Sequence, residues 1–178
     1  SGLYSSITQF ILIAAASIEK NIFRADRFID AVKKAPEHPE SEYSFFRDPG
    51  LAEQSFIASV RLEKKEQTAV FTRSCSRLLP ISLPLLLVEN ENSLLDDTLK
   101  LISLFTTDVV TLSYTYIFLG ILRDLSEVQG KGNFQDCVIN SVRNGFEYLN
   151  KNQHRIFDFG YNPDSFIEEI KTLLTLLD

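Results

Sequence analysis

The chain has 178 residues, with 18 Lys and Arg against 24 Asp and Glu and a formal net charge of -6. That length predicts one domain, long enough to bury a core without disulfide or metal staples, and 44% apolar with 24% charged residues is the composition of an ordinary globular chain. The basic residues fall six before Gly50, six from Leu51 to Lys100 and six after; with no basic stripe to neutralise phosphates, a nucleic-acid partner is not expected.

Two Cys, two His and no Trp or Met leave no zinc ribbon, no disulfide scaffold and little room for His-dependent catalysis. The longest apolar runs, Leu78–Val88 (broken by Pro80 and Pro84) and Ile117–Leu122, fall well short of the ~20 residues a membrane-spanning helix needs. No basic-then-apolar leader opens the chain, and Ser1-Gly2 reads as a tag remnant. The expectation is a cytoplasmic protein without a membrane partner, with Cys75 and Cys137 reduced and buried.

In chain order, Ile7, Phe10, Ile11, Ala14, Ala15 and Ile18 follow the i, i+3, i+4, i+7 template of an amphipathic helix. Phe28, Ile29 and Val32 predict a short second helix ending before Pro36. Pro36–Gly50 reads as a polar loop closing on Asp48-Pro49-Gly50. Phe56, Ile57 and Val60 predict a third helix running into the charged stretch Arg61–Gln67. Pro80 and Pro84 suggest short helices starting near each, since Pro is tolerated in a first turn. Ser93-Leu94-Leu95-Asp96 resembles a capping box, and Leu95, Leu99, Ile102 and Phe105 form the face behind it. Val109–Leu125 is apolar nearly all round, the pattern of a helix at the centre of a bundle. Gly130-Lys131-Gly132-Asn133 reads as a turn whose Asn133 caps the next helix, striped by Phe134, Cys137, Val138, Val142, Phe146 and Leu149. Asn162-Pro163-Asp164 opens a last helix with the stripe Phe166, Ile167, Ile170, Leu173, Leu174, Leu177. No sustained period-2 alternation and no fixed-period repeat occur. The predicted fold is all-α: a single orthogonal or irregular bundle of roughly seven to nine helices over residues 1–178.

Few side chains suggest chemistry. Asp96-Asp97-Thr98 is the one adjacent carboxylate pair followed by a hydroxyl, half of a possible divalent-cation site; acids in a helix's first turn, where the dipole favours them, are the preferred explanation. Glu168-Glu169 cannot easily chelate one ion, because neighbours on a helix do not face each other. His38 and His154, both read as loop residues, lack a nucleophile or a defined partner. Cys75 reads as a small core residue rather than a nucleophile. Gly130-Lys131-Gly132 lacks the spacing of a phosphate loop. Tyr114–Phe118, within an apolar helix, reads as core.

A set of short matches, in order, resembles the ADP-ribosylglycohydrolase family, the group that includes dinitrogenase-reductase-activating glycohydrolases. Tyr4-Ser5-Ser6-Ile7-Thr8-Gln9 is similar to its Tyr-Thr-Asp-Asp-Thr-Gln signature. Ile18-Glu19-Lys20-Asn21-Ile22-Phe23 is similar to a helix ending in Glu, a turn and a Phe-spaced segment. Arg47-Asp48-Pro49-Gly50 matches an Arg-x-Pro-Gly element, Arg77-Leu78-Leu79-Pro80-Ile81-Ser82-Leu83 a Met-Arg-x-x-Pro-x-Gly-Leu segment, and Phe105-Thr106-Thr107-Asp108 a Leu-Thr-His stretch before a long apolar helix. The matches span Tyr4 to Leu125.

The resemblance implies a site that holds two Mg²⁺ on paired Asp residues to bind ribose hydroxyls and activate water. Here Ser6 and Ile7 stand at the two Asp positions, and no carboxylate precedes Glu19. A Gly-Asn-Gly stretch is replaced by Phe71–Ser76, the expected His by Thr107, and the C-terminal Asp-Thr-Asp motif and Gly-rich opening helix are missing. The resemblance therefore implies a shortened scaffold without its binuclear site: no catalytic residues and no cofactor, with Ser5, Ser6, Thr8, Gln9, Arg77, Thr107 and Asp108 as candidates to line a pocket for an ADP-ribose-like nucleotide, and a protein as the expected partner. Three functions stay open: a catalytically degenerate binding or regulatory domain; an unrelated helical interaction or assembly module, using Leu83–Val88 or Leu173, Leu174 and Leu177; and an active Mg-dependent hydrolase with ligands relocated to Asp96, Asp97 or Asp108.

Overall fold

The computed structural model describes residues 5–35, 46, 48–62, 69–88, 91–127 and 133–177. The described residues are predominantly helical, with almost no strand, so the all-α expectation holds. The helices are α1 (Ser6–Ala16), α2 (Ala25–Lys34), α3 (Leu51–Arg61), α4 (Cys75–Ser82), α5 (Glu91–Ile102), α6 (Val109–Glu127), α7 (Phe134–Lys151), α8 (Gln153–Asp158) and α9 (Pro163–Leu177), with a 3₁₀ turn at Leu83–Leu87.

Between α1 and α2 lies a hairpin that no alternation announced: β1 (Ile18–Glu19) pairs antiparallel with β2 (Ile22–Phe23). Its two turn residues, Lys20 and Asn21, both have positive φ, as the tightest hairpin turn requires and as Asn tolerates well. Ile18, expected on the first helix, belongs to this hairpin. Helix α2 ends where expected, with Ala35 extended ahead of Pro36.

Four further expectations change. Pro80 sits inside α4, five residues after its start, and only Pro84 occupies a first turn, that of the 3₁₀ segment. Ser93 is not a cap, because α5 begins two residues earlier at Glu91. His154 lies on α8, exposed, rather than in a loop. On α7, Phe146 and Leu149 are buried but Phe134 is 67% exposed, the helix reaching the core only in its second half. By contrast Asn133 and Asn162 cap α7 and α9 as expected, their Oδ1 atoms accepting from Gln135 N and Asp164 N at 3.1 and 2.9 Å.

α6 is the hub, packed against α4, α5, α7 and α9. Its first half is buried on nearly every side, although Tyr114, expected in the core, faces solvent and Tyr116 and Phe118 are half-buried. Around α1 the core is aromatic. Phe10 lies 4.6 Å from Phe46, 5.3 Å from Phe105, 6.0 Å from Phe28 and 6.2 Å from Phe56, centroid to centroid. Such clusters combine large buried area with edge and offset-stacking contacts. Cys75 and Cys137 are free thiols and half-buried rather than fully buried. Among the described residues no helix is long and apolar enough to cross a membrane. His38, Arg47, Tyr4 and Gly130–Gly132, and the side chains of Glu169, Ile170, Leu173, Leu174 and Leu177, lie outside what the structure describes.

Candidate functional site

The first turn of α1 starts at Ser5, whose hydroxyl caps Thr8 N at 3.4 Å and lies 3.2 Å from Thr8 Oγ1. Two of the pocket candidates, Ser5 and Thr8, are thereby occupied with holding a helix end. Gln9 lies on the same helix, half-buried. Ser6, the next residue, is fully buried and turned the other way. Its hydroxyl donates to Asp48 O at 3.4 Å and accepts from Arg77 Nη2 at 2.9 Å. Ile7 packs against the hydrophobic core.

Arg77, on α4, is the centre of this cluster. Nη2 also donates to Asp48 O at 2.8 Å, and Nε donates to Glu53 Oε2 at 2.7 Å. Asp48 has φ 48°, a left-handed conformation that Asp tolerates better than most residues. Glu53, at the third position of α3, is 1% exposed, and its Oε2 also accepts from Gly50 N. That is one half of a capping box, with glycine at the cap. Gly50 cannot be replaced without disturbance: a Cβ there would lie 2.6 Å from Glu53 Oε2 and 2.8 Å from Arg77 Nε. Glu53 Oε1 is buried with no partner among the described residues.

One guanidinium thus ties together residues 42 and 71 positions apart in sequence. Three of the matched segments meet here: the first-helix motif through Ser6, the Asp-Pro-Gly element through Asp48, and the Arg-Leu-Leu-Pro segment through Arg77. Glu53 carried no motif in the sequence; its signal was the Gly50-Leu51-Ala52-Glu53 spacing, a cap followed three residues later by an acid.

Residues suited to two Mg²⁺ ions are not what this cluster contains. A hard divalent ion needs several oxygens converging on it, mostly carboxylate. Ile7 offers none, and Ser6 Oγ, the Asp48 carbonyl oxygen and Glu53 Oε2 are already bonded to a cation, the Arg77 guanidinium, which leaves Glu53 Oε1 as the one unpartnered oxygen of that carboxylate. Among the described residues there is no group of three or more His, Cys, Asp or Glu side chains placed to hold a metal.

The other acidic candidates do not converge either. Asp96 turns to Arg155 on α8. Burial opposes the Arg155 charge, but the Asp96 carboxylate and Tyr148 outweigh it and raise its pKa. Asp97 is fully buried and turns inward, accepting from Phe23 N at 3.3 Å and Lys100 Nζ at 3.0 Å, so it fastens the hairpin to α5. Thr98 bonds back to Leu94 O at 2.7 Å.

Asp108 forms a second, separate polar cluster. It caps α6: Oδ2 accepts from Thr111 N at 3.0 Å and from the Thr111 hydroxyl. Thr111 Oγ1 in turn accepts from Ser74 N at 3.1 Å, at the start of α4. Thr106 Oγ1 bonds Thr72 O at 2.7 Å and accepts from Asp108 N at 3.0 Å, while Thr107 N donates to Val70 O at 3.2 Å. Arg73 Nε approaches Asp108 Oδ2 at 3.6 Å. Beside Asp108 a cavity of about 360 Å³ is lined by Phe71, Arg73, Val110, Ser165, Glu168 and Thr172. Tyr161 is buried nearby; desolvation, and then the Asp108 charge, push its hydroxyl's pKa up. Four cavities are described, and neither Ser6 nor Ile7 lines any of these four.

Compared with protein-family models, curated proteins and solved structures, this chain gives no match.

Proposed function

We propose that this chain is a catalytically degenerate ADP-ribosylglycohydrolase-like domain that works as a binding or regulatory module. The observation that carries the reading is the Arg77 guanidinium on Ser6, Asp48 O and Glu53. In the family the resemblance points to, the first-helix motif helps hold cations that bind ribose hydroxyls. Here the matching segment meets a fixed side-chain cation instead. A guanidinium has donors and a charge but no open coordination position, and it cannot lower the pKa of a bound water as a metal does. It supports orientation and anchoring, not hydrolysis.

The test is direct. Titration calorimetry with ADP-ribose, with and without Mg²⁺, measures whether a nucleotide site exists, and an ADP-ribose release assay on a modified protein measures turnover. The expected outcome is no Mg²⁺-dependent release, in the wild type and in the Ser6→Asp, Ile7→Asp double variant alike. Mg²⁺-dependent turnover in either overturns the reading and favours the active hydrolase with relocated ligands.

A second reading, the helical interaction module, is favoured by one surface. Leu12 on α1 and Leu83 and Leu87 on the adjoining 3₁₀ segment are 55%, 36% and 65% exposed. Single exposed leucines are ordinary, so this reading rests on the three, carried on adjoining elements, acting as one surface. Sedimentation of the wild type against Leu87→Asp tests it: self-association lost in the variant supports this reading, and a wild-type monomer at high concentration removes the self-assembly form of it.

A further inference from the structure

Between α6 and α7 a cavity of about 220 Å³ opens, with Leu94 of α5 at its edge. Two glycines shape it in different ways. A Cβ on Gly145 would sit 3.0 Å from Ile117 Cγ1, so that glycine lets the two helices approach. A Cβ on Gly120 would meet nothing within 4 Å. Packing makes no demand for glycine there, and glycine is the poorest helix former after proline. What the bare backbone does at Gly120 is leave the cavity open.

The rest of the lining is chemically mixed. The rings of Tyr116 and Tyr148 stack at 5.8 Å and 22°, beside Ile117. Arg123 and Asp124 also line the cavity, and both are held from outside α6 or α7's own ladder: Arg123 Nη2 donates to Val88 O at 3.2 Å, and Asp124 Oδ2 accepts from Ser141 Oγ. Arg123 and Asp124, consecutive on α6, therefore bring one positive and one negative group, each fixed by its own hydrogen bond, to a cavity that also has an aromatic and aliphatic wall. Most small-molecule sites have this plan, apolar walls with a few placed polar groups, at about 300 to 1,000 Å³; the smaller volume here restricts the occupant to a small molecule.

We propose that this cavity binds a free amino acid with an apolar side chain. Arg123 takes the carboxylate, Asp124 the ammonium, and Tyr116, Tyr148 and Ile117 the side chain. A ligand with one charge leaves the opposite partner unmatched, and a neutral one leaves both, which is the basis of selection. The site is independent of the Arg77 cluster and of the function proposed for it.

The experiment is amide NMR of the isotope-labelled full chain, titrated separately with L-leucine and L-phenylalanine to about 10 mM, ten times the Kd of a millimolar binder. Saturable shifts confined to Gly120, Arg123, Asn144 and Gly145 are expected with at least one of them. For the amino acid that binds, the analogues lacking the ammonium or the carboxylate (3-phenylpropionate and 2-phenylethylamine, or isocaproate and isoamylamine) are expected to bind at least about tenfold more weakly, the loss that one unmet charged hydrogen bond brings. Gly120→Val fills the open space and is expected to abolish the shifts. Asp124→Asn keeps an acceptor for Ser141 but removes the charge, and is expected to weaken binding by a similar factor even if the valine variant folds poorly. No saturable shift with either amino acid, equal binding of the singly charged analogues, or unchanged affinity in Asp124→Asn overturns the proposal.

Discussion

Around Phe10 of α1, rings from α2, α3, the turn after α5 and Phe46 ahead of α3 lie at centroid distances of 4.6 to 6.2 Å, and the Arg77 cluster stands at the start of α1. Along the α6–α7 seam Gly145 lets the helices approach at Ile117, Tyr116 stacks on Tyr148, and polar side chains line a cavity. The first region uses bulky, rigid side chains and pairs its buried Glu53 carboxylate with Arg77. The second brings its helices together over one glycine and one pair of stacked tyrosines and leaves polar groups beside open space. The expectation is that stability is concentrated in the first region, while the second keeps a cavity between its helices.

The sharpest way to break this contrast is Phe10→Ala. Phe10 is fully buried and touches four other rings, so the expected loss is about 4 kcal/mol in urea denaturation; a loss below about 1 kcal/mol would mean that the ring cluster is not the stable part. Next comes Arg77→Ala, which leaves Glu53 buried without its cation. The Arg77 side chain is 32% exposed, so the lower end of the range for a broken buried pair applies, about 3 kcal/mol. Asp108→Ala removes the α6 cap and is expected to cost about 1 to 2 kcal/mol, measured the same way.

In the seam the sign is expected to reverse. Gly120→Ala meets nothing and gains helix propensity, for a stabilisation of up to about 1 kcal/mol. Gly145→Ala pushes against Ile117 and is expected to destabilise. Equal effects of the two would show that the seam is not divided as described. The smallest expectation is on the exposed surface. Asp26 titrates below the usual carboxylate range because of its bond to Arg24. A depressed folded-state pKa adds stability above the normal Asp value, lost as pH falls through the lowered one. At so exposed a site the effect is read by carboxyl NMR, where Arg24→Gln is expected to return the titration to the ordinary range.

How much of this was legible in the sequence depended on whether the signal was local. Asn133 and Asn162-Pro163-Asp164 were readable because a cap acts within three residues. The face of Leu95, Leu99, Ile102 and Phe105 was readable because it repeats at helical spacing, and all four are buried. The hairpin at Lys20-Asn21 was missed because two-residue strands are too short to alternate. Ser93-x-x-Asp96 misled, since Asp96 spends its carboxylate on Arg155 rather than on a helix end. The Arg77 cluster was half visible. Ser6 and Arg77 stood out through a resemblance, whereas Glu53 had only its cap spacing, and its part as their counter-charge emerges only when the fold brings it to Arg77.

On the proposed function, the Arg77 guanidinium fills the position where the resemblance would put metal ions. That reading is tested most directly by assaying Mg²⁺-dependent ADP-ribose release with the purified chain, alongside calorimetry of Mg²⁺ itself. No turnover and no Mg²⁺ binding heat that Ser6→Ala or Arg77→Ala alters are the results expected. Mg²⁺-dependent release, or an Mg²⁺ heat that disappears in Ser6→Ala, would contradict the account.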